Sequence, residues 1–156
     1  MNAAAIIFIA FAVFPSNLAI TADECIAKTK IEEDNLRTVL LFYKEAFVLN
    51  DITAVDRYIS SDYIQHNPNV DDGQQPLKDL ILSISGATEK QEPLDIRHTA
   101  VNKDMVWLHV KMTGDNNESW AVIDIFRVKD GKIVEHWDVI QEVPSLSKSK
   151  NLHPMF

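Results

Sequence analysis

The sequence predicts an α+β domain in which helices cover one face of an antiparallel sheet. Two observations lead to this class. Residues 31–85 carry apolar side chains at the three- and four-residue spacing of amphipathic helices. Residues 94–140 instead alternate or run apolar in short segments separated by polar breaks, as the strands of a meander do. Helices followed by strands form separate layers, unlike the alternating units of a parallel sheet.

The first predicted helix covers residues 31–49, and Asn50-Asp51 ends it. Its apolar stripe consists of Leu36, Val39, Leu40, Tyr43, Ala46 and Phe47. A shorter helix over 51–59 packs back on the first. Residues 63–68 then form an extended segment ended by proline, and a third helix over 75–85 has Pro76 in its first turn, where proline is tolerated.

Four strands follow, over residues 94–101, 105–112, 120–128 and 133–140. Asp130-Gly131 joins the last two as a hairpin, because both residues readily take positive φ. Two registers are open. A two-residue turn pairs Lys129 with Lys132 and sets Asp124 opposite Trp137, whereas a three-residue loop with a bulge at Gly131 sets Asp124 opposite His136. In either register His136 and Asp138 share one face of their strand, since side chains in a strand repeat every two residues.

The chain divides into a signal peptide over 1–22, one domain over 23–144 and a loose tail over 145–156. Residues 3–18 carry no charge, and Ala19 to Ala22 resemble a cleavage region, although no lysine or arginine precedes the apolar run. We therefore expect an exported, periplasmic or secreted protein; an uncleaved anchor is the alternative, although the run is short for a span. Cys25 is the only cysteine, so no internal disulfide can form.

The charge excludes some partners. The chain has 15 Lys and Arg against 23 Asp and Glu, a formal net charge of −8, and no basic run. Nucleic acids and anionic membrane surfaces need concentrated positive charge, so neither is expected as a partner once the signal peptide is removed.

The candidate chemistry rests on histidine, aspartate and tyrosine. The sequence has no phosphate-binding glycine loop, zinc-protease helix motif, cysteine pair or nucleophile elbow. Ionisable groups inside apolar strands are costly unless they are used or satisfied, which singles out Asp124, His136 and Asp138. His66 precedes an Asn-Pro turn, where it could act as a base near neutral pH or merely bond the turn. Tyr43 lies on the helix stripe, where core packing is the alternative to a catalytic role.

Trp107, His109 and Trp137 are candidate ligand-contacting residues. Trp107 and His109 share a strand face, and Trp137 lies between His136 and Asp138 on the last strand. Three histidines and two carboxylates could also hold a metal, but they come from separate segments without short-range ligand spacing. We therefore expect neither a metal nor another cofactor.

Three segments together resemble the SnoaL-like polyketide cyclase family: residues 63–68 (YIQHNP), 124–127 (DIFR) and 130–138 (DGKIVEHWD). The family shares the fold of nuclear transport factor 2 and the ketosteroid isomerases. The resemblance implies a cone-shaped, strongly curved antiparallel sheet closed by N-terminal helices around a deep pocket. It covers nearly all of the chain after the signal peptide.

The resemblance also implies roles. Asp124 matches the isomerase aspartate that donates to the oxyanion, Tyr43 matches their oxyanion tyrosine, and His66 stands where their base aspartate does. The positions of His136 and Asp138 face the same pocket, which favours the bulged register. Their polarity, with histidine in place of the base, argues against steroid isomerisation itself.

The expected function is cofactor-independent acid–base chemistry on a small apolar carbonyl or polyketide-like compound, of the aldol-cyclase or isomerase type. In the SnoaL-like cyclases an aspartate is the acid–base group, and Asp138 or Asp124 would fill that place. In the mechanism expected here, His66 takes a proton α to the carbonyl, and protonated Asp124 with Tyr43 or His136 stabilises the enolate. Asp138 orients His136.

Two other function classes use the same fold. A binding protein would keep the pocket without turnover, and a scaffold would support protein contacts alone, which the ionisable cluster disfavours. A homodimer is expected on the outer sheet face, because apolar residues such as Ile123 and Ile125 alternate with the inward set and need cover.

Overall fold

The structure is a computed structural model that describes residues 29–87, 95–114 and 118–156. The expected signal peptide and Cys25 lie outside these residues. Within them, no helix is long and apolar enough to cross a membrane.

Three helices precede most of the sheet. Helix α1 (Lys30–Tyr43) begins at a capping box, in which Thr29 and Glu32 satisfy each other's backbone N–H groups. It continues without a break into a π-helical turn, Lys44–Val48, and is followed by α2 (Ala54–Tyr58) and α3 (Gln74–Ala87). Of the stripe predicted for the first helix, Val39, Tyr43 and Ala46 are buried in the core, and Phe42, outside the predicted stripe, is buried with them.

The sheet has five strands in the order β1-β5-β4-β3-β2. Their bounds are β1 Ile59–Gln65, β2 Asp95–Asn102, β3 Met105–Thr113, β4 Ser119–Lys129 and β5 Lys132–Glu142. The pairs among β2 to β5 are antiparallel, whereas β1 pairs with β5 in parallel. The predicted α+β class is therefore confirmed, with a curved sheet covered by helices on one side.

The hairpin between β4 and β5 forms where the sequence predicted it, but in neither predicted register. Asp130 and Gly131 both have positive φ, 51° and 74°, and make a two-residue turn that pairs Lys129 with Lys132. A bulge then inserts Val134 into β5, because Val128 pairs with Ile133 while Arg127 pairs with Glu135. The added residue shifts the register, so Asp124 lies opposite Asp138.

The two faces of the sheet differ in what covers them. The inner face packs on the helices and holds the buried core residues Val106, Leu108, Val110, Val122, Phe126 and Val128. The outer face carries Trp107, Ile125 and Trp137 in one cross-strand row and His109, Ile123 and Val139 in the next. The ring of Phe156, at the end of the tail, packs against His109 on this outer face.

Candidate active site

A cavity of about 690 Å³ lies between the inner face of the sheet and the helices. Its walls are largely apolar: Phe42, Phe47, Leu77, Leu80, Ile84, Val110, Val122, Phe126 and Ile140. Polar side chains gather on the part of the wall formed by β1, β4 and β5: Tyr43 reaches it from α1, and the others are Tyr63, Gln65, Asn67, Asp124, His136 and Asp138. The volume and this contrast are typical of small-molecule sites.

Asp124 is the centre of the polar wall. It is 5% exposed, and both carboxylate oxygens have partners. The Tyr43 hydroxyl donates to Oδ2, and His136 Nε2 lies 2.9 Å from Oδ1. Burial costs a carboxylate heavily unless hydrogen bonds compensate, and these two bonds do so. The structure thus satisfies Asp124 fully from the protein.

His136 is held from its other side by Gln65. Its Nδ1 lies 3.0 Å from Gln65 Oε1, because the parallel pairing of β1 with β5 sets these two residues side by side. Both ring nitrogens of His136 therefore have protein partners.

Asp138 is held differently. Asn67 Nδ2 donates to its Oδ2 at 2.7 Å. Among the residues that the structure describes, no hydrogen bond reaches its other oxygen, Oδ1. Since Asp138 lies directly opposite Asp124 on the inner face, this oxygen is available to a molecule in the cavity.

Tyr63 supplies a hydroxyl to the same wall. The residue is 3% exposed, and its oxygen accepts a hydrogen bond from Gln65 Nε2 at 3.1 Å. Burial, with the negative charges of Asp124 and Asp138 adding to it, raises the pKa of Tyr63 well above that of a free tyrosine. The group therefore stays protonated, and within the described chain its hydrogen has no acceptor.

The pKa of Tyr43 is likewise raised well above 10.0, first by burial and then by the charge of Asp124 beside it. Tyr43 is thus a permanent donor at neutral pH. Its burial in the core agrees with the packing expected for this residue, whereas its catalytic role stays a prediction. Its ring also meets Phe47 and Phe126 at centroid distances of 5.1 and 6.0 Å.

The structure does not bring His66 to the cavity. Gln65 pairs with His136 on the inner face, so His66, one residue later, turns to the outer face. There its ring stacks on Trp137 with centroids 4.3 Å apart, and its Nε2 lies 3.3 Å from Glu135. Its backbone N–H donates to the carbonyl of His136. The predicted place of His66 as a base in the pocket is corrected accordingly.

Trp107, His109 and Trp137 also lie on the outer face and do not line the cavity. The reason is the alternation of β3, where Val106, Leu108 and Val110 take the inner positions. His109 instead pairs with His98, with Nδ1 atoms 3.1 Å apart. A ligand in the cavity would therefore not meet these three side chains.

Asp124, His136 and Asp138 form the one cluster among the described residues that has a metal-like composition. Their ligand atoms all lie within 4.8 Å of one another. His136 Nε2 is engaged with Asp124, so a metal ion bound here would have to replace that contact.

Sequence reasoning missed Tyr63, Gln65 and Asn67 as site residues. The period of two along residues 63–67 was the available signal, since it separates these three from Ile64 and His66.

The family is decided by the chain's sequence match. Residues 37–148 match the model of the SnoaL-like polyketide cyclase family. This chain belongs to that family. No curated protein sequence matches it.

Solved structures that are similar to this chain have the same fold. An NTF2-like protein from Mesorhizobium loti is 22% identical, with a TM-score of 0.60, covering 74% of this chain and 97% of its own. TsrD from Streptomyces laurentii is 19% identical, with a TM-score of 0.58, covering 68% and 87%. An LEH-like epoxide hydrolase from M. tuberculosis is 18% identical, with a TM-score of 0.56, covering 70% and 84%.

Proposed function

We propose that this protein is a cofactor-independent acid–base enzyme that acts on a small, apolar carbonyl compound of polyketide type, by aldol-type cyclisation or isomerisation. The observation that carries the proposal is Asp138, a carboxylate fixed through one oxygen with the other turned to a largely apolar cavity. The family match supports the class of reaction.

Asp138 is the proposed base. Its Oδ1 takes a proton from the carbon next to a substrate carbonyl, and the electron pair of the broken C–H bond forms the enolate. Asn67 holds Oδ2 and so keeps the free oxygen aimed at the ligand. His66 has no part in this scheme because it lies on the outer face.

Tyr63 is the proposed donor to the enolate oxygen. Because Gln65 donates to its oxygen, the hydroxyl hydrogen is left for the substrate. A donor already oriented in a largely apolar cavity stabilises the developing negative charge strongly. A raised pKa keeps Tyr63 protonated while it does so.

The second step returns the proton. In a cyclisation the enolate carbon attacks a second carbonyl carbon of the same molecule, a C–C bond forms, and the new alkoxide takes the proton held by Asp138. In an isomerisation Asp138 returns the proton to a different carbon. Asp138 ends ionised in both cases, so no further reactant is required.

The cavity supports a neutral ligand. Three carboxylates line it, Asp95, Asp124 and Asp138, and Lys111 is the lysine among the lining residues. An anionic ligand would be repelled by the carboxylates in this apolar setting. The apolar wall instead favours a ring or chain skeleton.

The test is solvent deuterium incorporation into β-keto and polyketide-like compounds selected by thermal shift. We expect Asp138→Asn to slow exchange by about 100-fold or more and Tyr63→Phe by roughly 10- to 100-fold. His66→Ala is the control and should exchange at the wild-type rate, since its ring lies outside the cavity. Exchange that survives Asp138→Asn unchanged would refute the proposal.

A non-catalytic binding protein is the alternative. The observation that favours it is Asp124, whose oxygens are both satisfied by the protein, as in a wall that orients a ligand without reacting. Tight binding of a screened ligand by wild-type protein, without any exchange, would select this alternative.

A further inference from the structure

The side-chain amide of Gln65 makes three hydrogen bonds that fix which of its ends is oxygen. The backbone N–H of Asn67 lies 3.0 Å from one end. A backbone N–H can only donate, so that end is Oε1, and the other end, Nε2, donates to Tyr63. The orientation of this amide therefore follows from chemistry.

His136 meets the oxygen end. Its Nδ1 lies 3.0 Å from Gln65 Oε1, which can only accept, so Nδ1 carries a hydrogen. On the other side Nε2 lies 2.9 Å from Asp124 Oδ1. A contact this short between a nitrogen and an oxygen requires one proton between them.

We infer that Gln65 is a positioning residue that fixes His136 with a hydrogen on Nδ1 and leaves a single proton shared between His136 Nε2 and Asp124 Oδ1. The shared proton can lie on Nε2, which makes an ion pair of imidazolium and carboxylate, or on Oδ1, which makes a neutral pair. Neither form has a free lone pair on the imidazole.

This inference also implies which of Asp124, His136 and Asp138 accepts the substrate proton, and in that respect it rests on the proposed function. His136 cannot take the substrate proton, because both of its nitrogens are engaged. Asp138 is left as the acceptor. The Asp124–His136 pair keeps one proton beside Asp138 without entering the transfer itself.

Replacement of Gln65 should change the tautomer in a predictable direction. Gln65→Leu removes the acceptor, so a hydrogen on Nδ1 would be buried without a partner. His136 should then carry its hydrogen on Nε2 alone, donating to ionised Asp124 and leaving Nδ1 as a free base. Gln65→Glu keeps an acceptor and should keep the hydrogen on Nδ1.

The experiment is a long-range ¹H–¹⁵N correlation spectrum of the histidine rings at neutral pH, without ligand, with His136 assigned from the His136→Gln spectrum. We expect a protonated-type Nδ1 shift for His136 in the wild type and in Gln65→Glu, and an unprotonated-type Nδ1 shift in Gln65→Leu. Asn67→Ala is the matched control: it removes a side chain that bonds Asp138 while keeping the backbone N–H that bonds Gln65, so the tautomer should not change.

An unprotonated Nδ1 in the wild type would overturn the inference, and so would an unchanged shift in folded Gln65→Leu. Backbone amide dispersion reports whether each variant folds; if Gln65→Leu does not, the wild type and Gln65→Glu still decide. The spectra use no substrate. A protonated Nδ1 without any deuterium exchange would leave this inference standing and remove the catalytic proposal. Deuterium exchange together with an unprotonated Nδ1 would overturn this inference and leave the catalytic proposal standing.

Discussion

Removal of the Tyr43 hydroxyl is the perturbation with the clearest energetic consequence. Tyr43→Phe keeps the ring and its contacts with Phe47 and Phe126, but takes the donor away from Asp124 Oδ2. The carboxylate is 5% exposed, so a buried acceptor loses its partner. A hydrogen bond to a charged group contributes about 1.5–3 kcal/mol. Water from the cavity can reach the oxygen, which places the expected loss near the middle, at about 2 kcal/mol.

The assay is urea unfolding at pH 7, followed by tryptophan fluorescence. For a domain of this size about 2 kcal/mol should also lower Tm by roughly 5–10 °C. Tyr58→Phe is the matched control, because its hydroxyl also donates to a carboxylate, Glu45 at 2.9 Å, but near the surface. That change should cost less than about 1 kcal/mol.

A double-mutant cycle separates the bond from the packing. In an Asp124→Asn background, Tyr43→Phe should cost less than it does alone, with a coupling energy of about 1 kcal/mol or more. Equal losses for Tyr43→Phe and Tyr58→Phe, or no coupling in the cycle, would refute the reasoning.

Three further outcomes are expected. The pKa values of Tyr43 and Tyr63 are raised above 10.0 in the folded state, so their protonated forms stabilise the fold below about pH 10, and this stability is lost as the pH rises further. The free energy of unfolding should therefore fall above pH ~10, and it should fall more gently in Tyr63→Phe. A flat profile would contradict this. Gly131→Ala should cost about 1 kcal/mol in urea unfolding, since φ there is 74° and the new Cβ meets nothing within 4 Å, so backbone strain is the cost; unchanged stability would argue against the turn. We also propose that the outer face forms a homodimer, so the wild type should sediment with the mass of two chains. Val139 is 65% exposed on this face, and Val139→Glu should sediment with the mass of one chain. A single-chain mass for the wild type at micromolar concentration would count against the proposal.

The hairpin shows what local sequence can and cannot determine. Asp130-Gly131 predicted the turn correctly because positive φ is a property of these residues themselves. The bulge at Val134 has no such local signal, since valine is an ordinary strand residue. Its position depends on how β5 must bend between β4 and β1, which is a property of the whole sheet.

The candidate site was predicted in part for a related reason. Asp124, His136 and Asp138 were identified because ionisable groups in apolar strands are unusual, and the structure brings all three together. The usual rule that apolar residues point inward fails on β1, where Ile64 is 44% exposed and Gln65 faces the cavity. A strand that lines a polar wall reverses the rule, and His66, two positions after Ile64, lies on the outer face as Ile64 does.

The order of the strands separates the three ionisable residues of the cavity wall from the side chains in and after β1 that bond two of them. Asp124, His136 and Asp138 are on β4 and β5, each paired on both sides, whereas Gln65 and Asn67 belong to or follow β1, an edge strand with an interrupted register. An edge strand is hydrogen-bonded to a neighbouring strand on one side only. Substitutions at positions 65 and 67 should therefore change how His136 and Asp138 are held, while the backbone of β4 and β5 keeps its place.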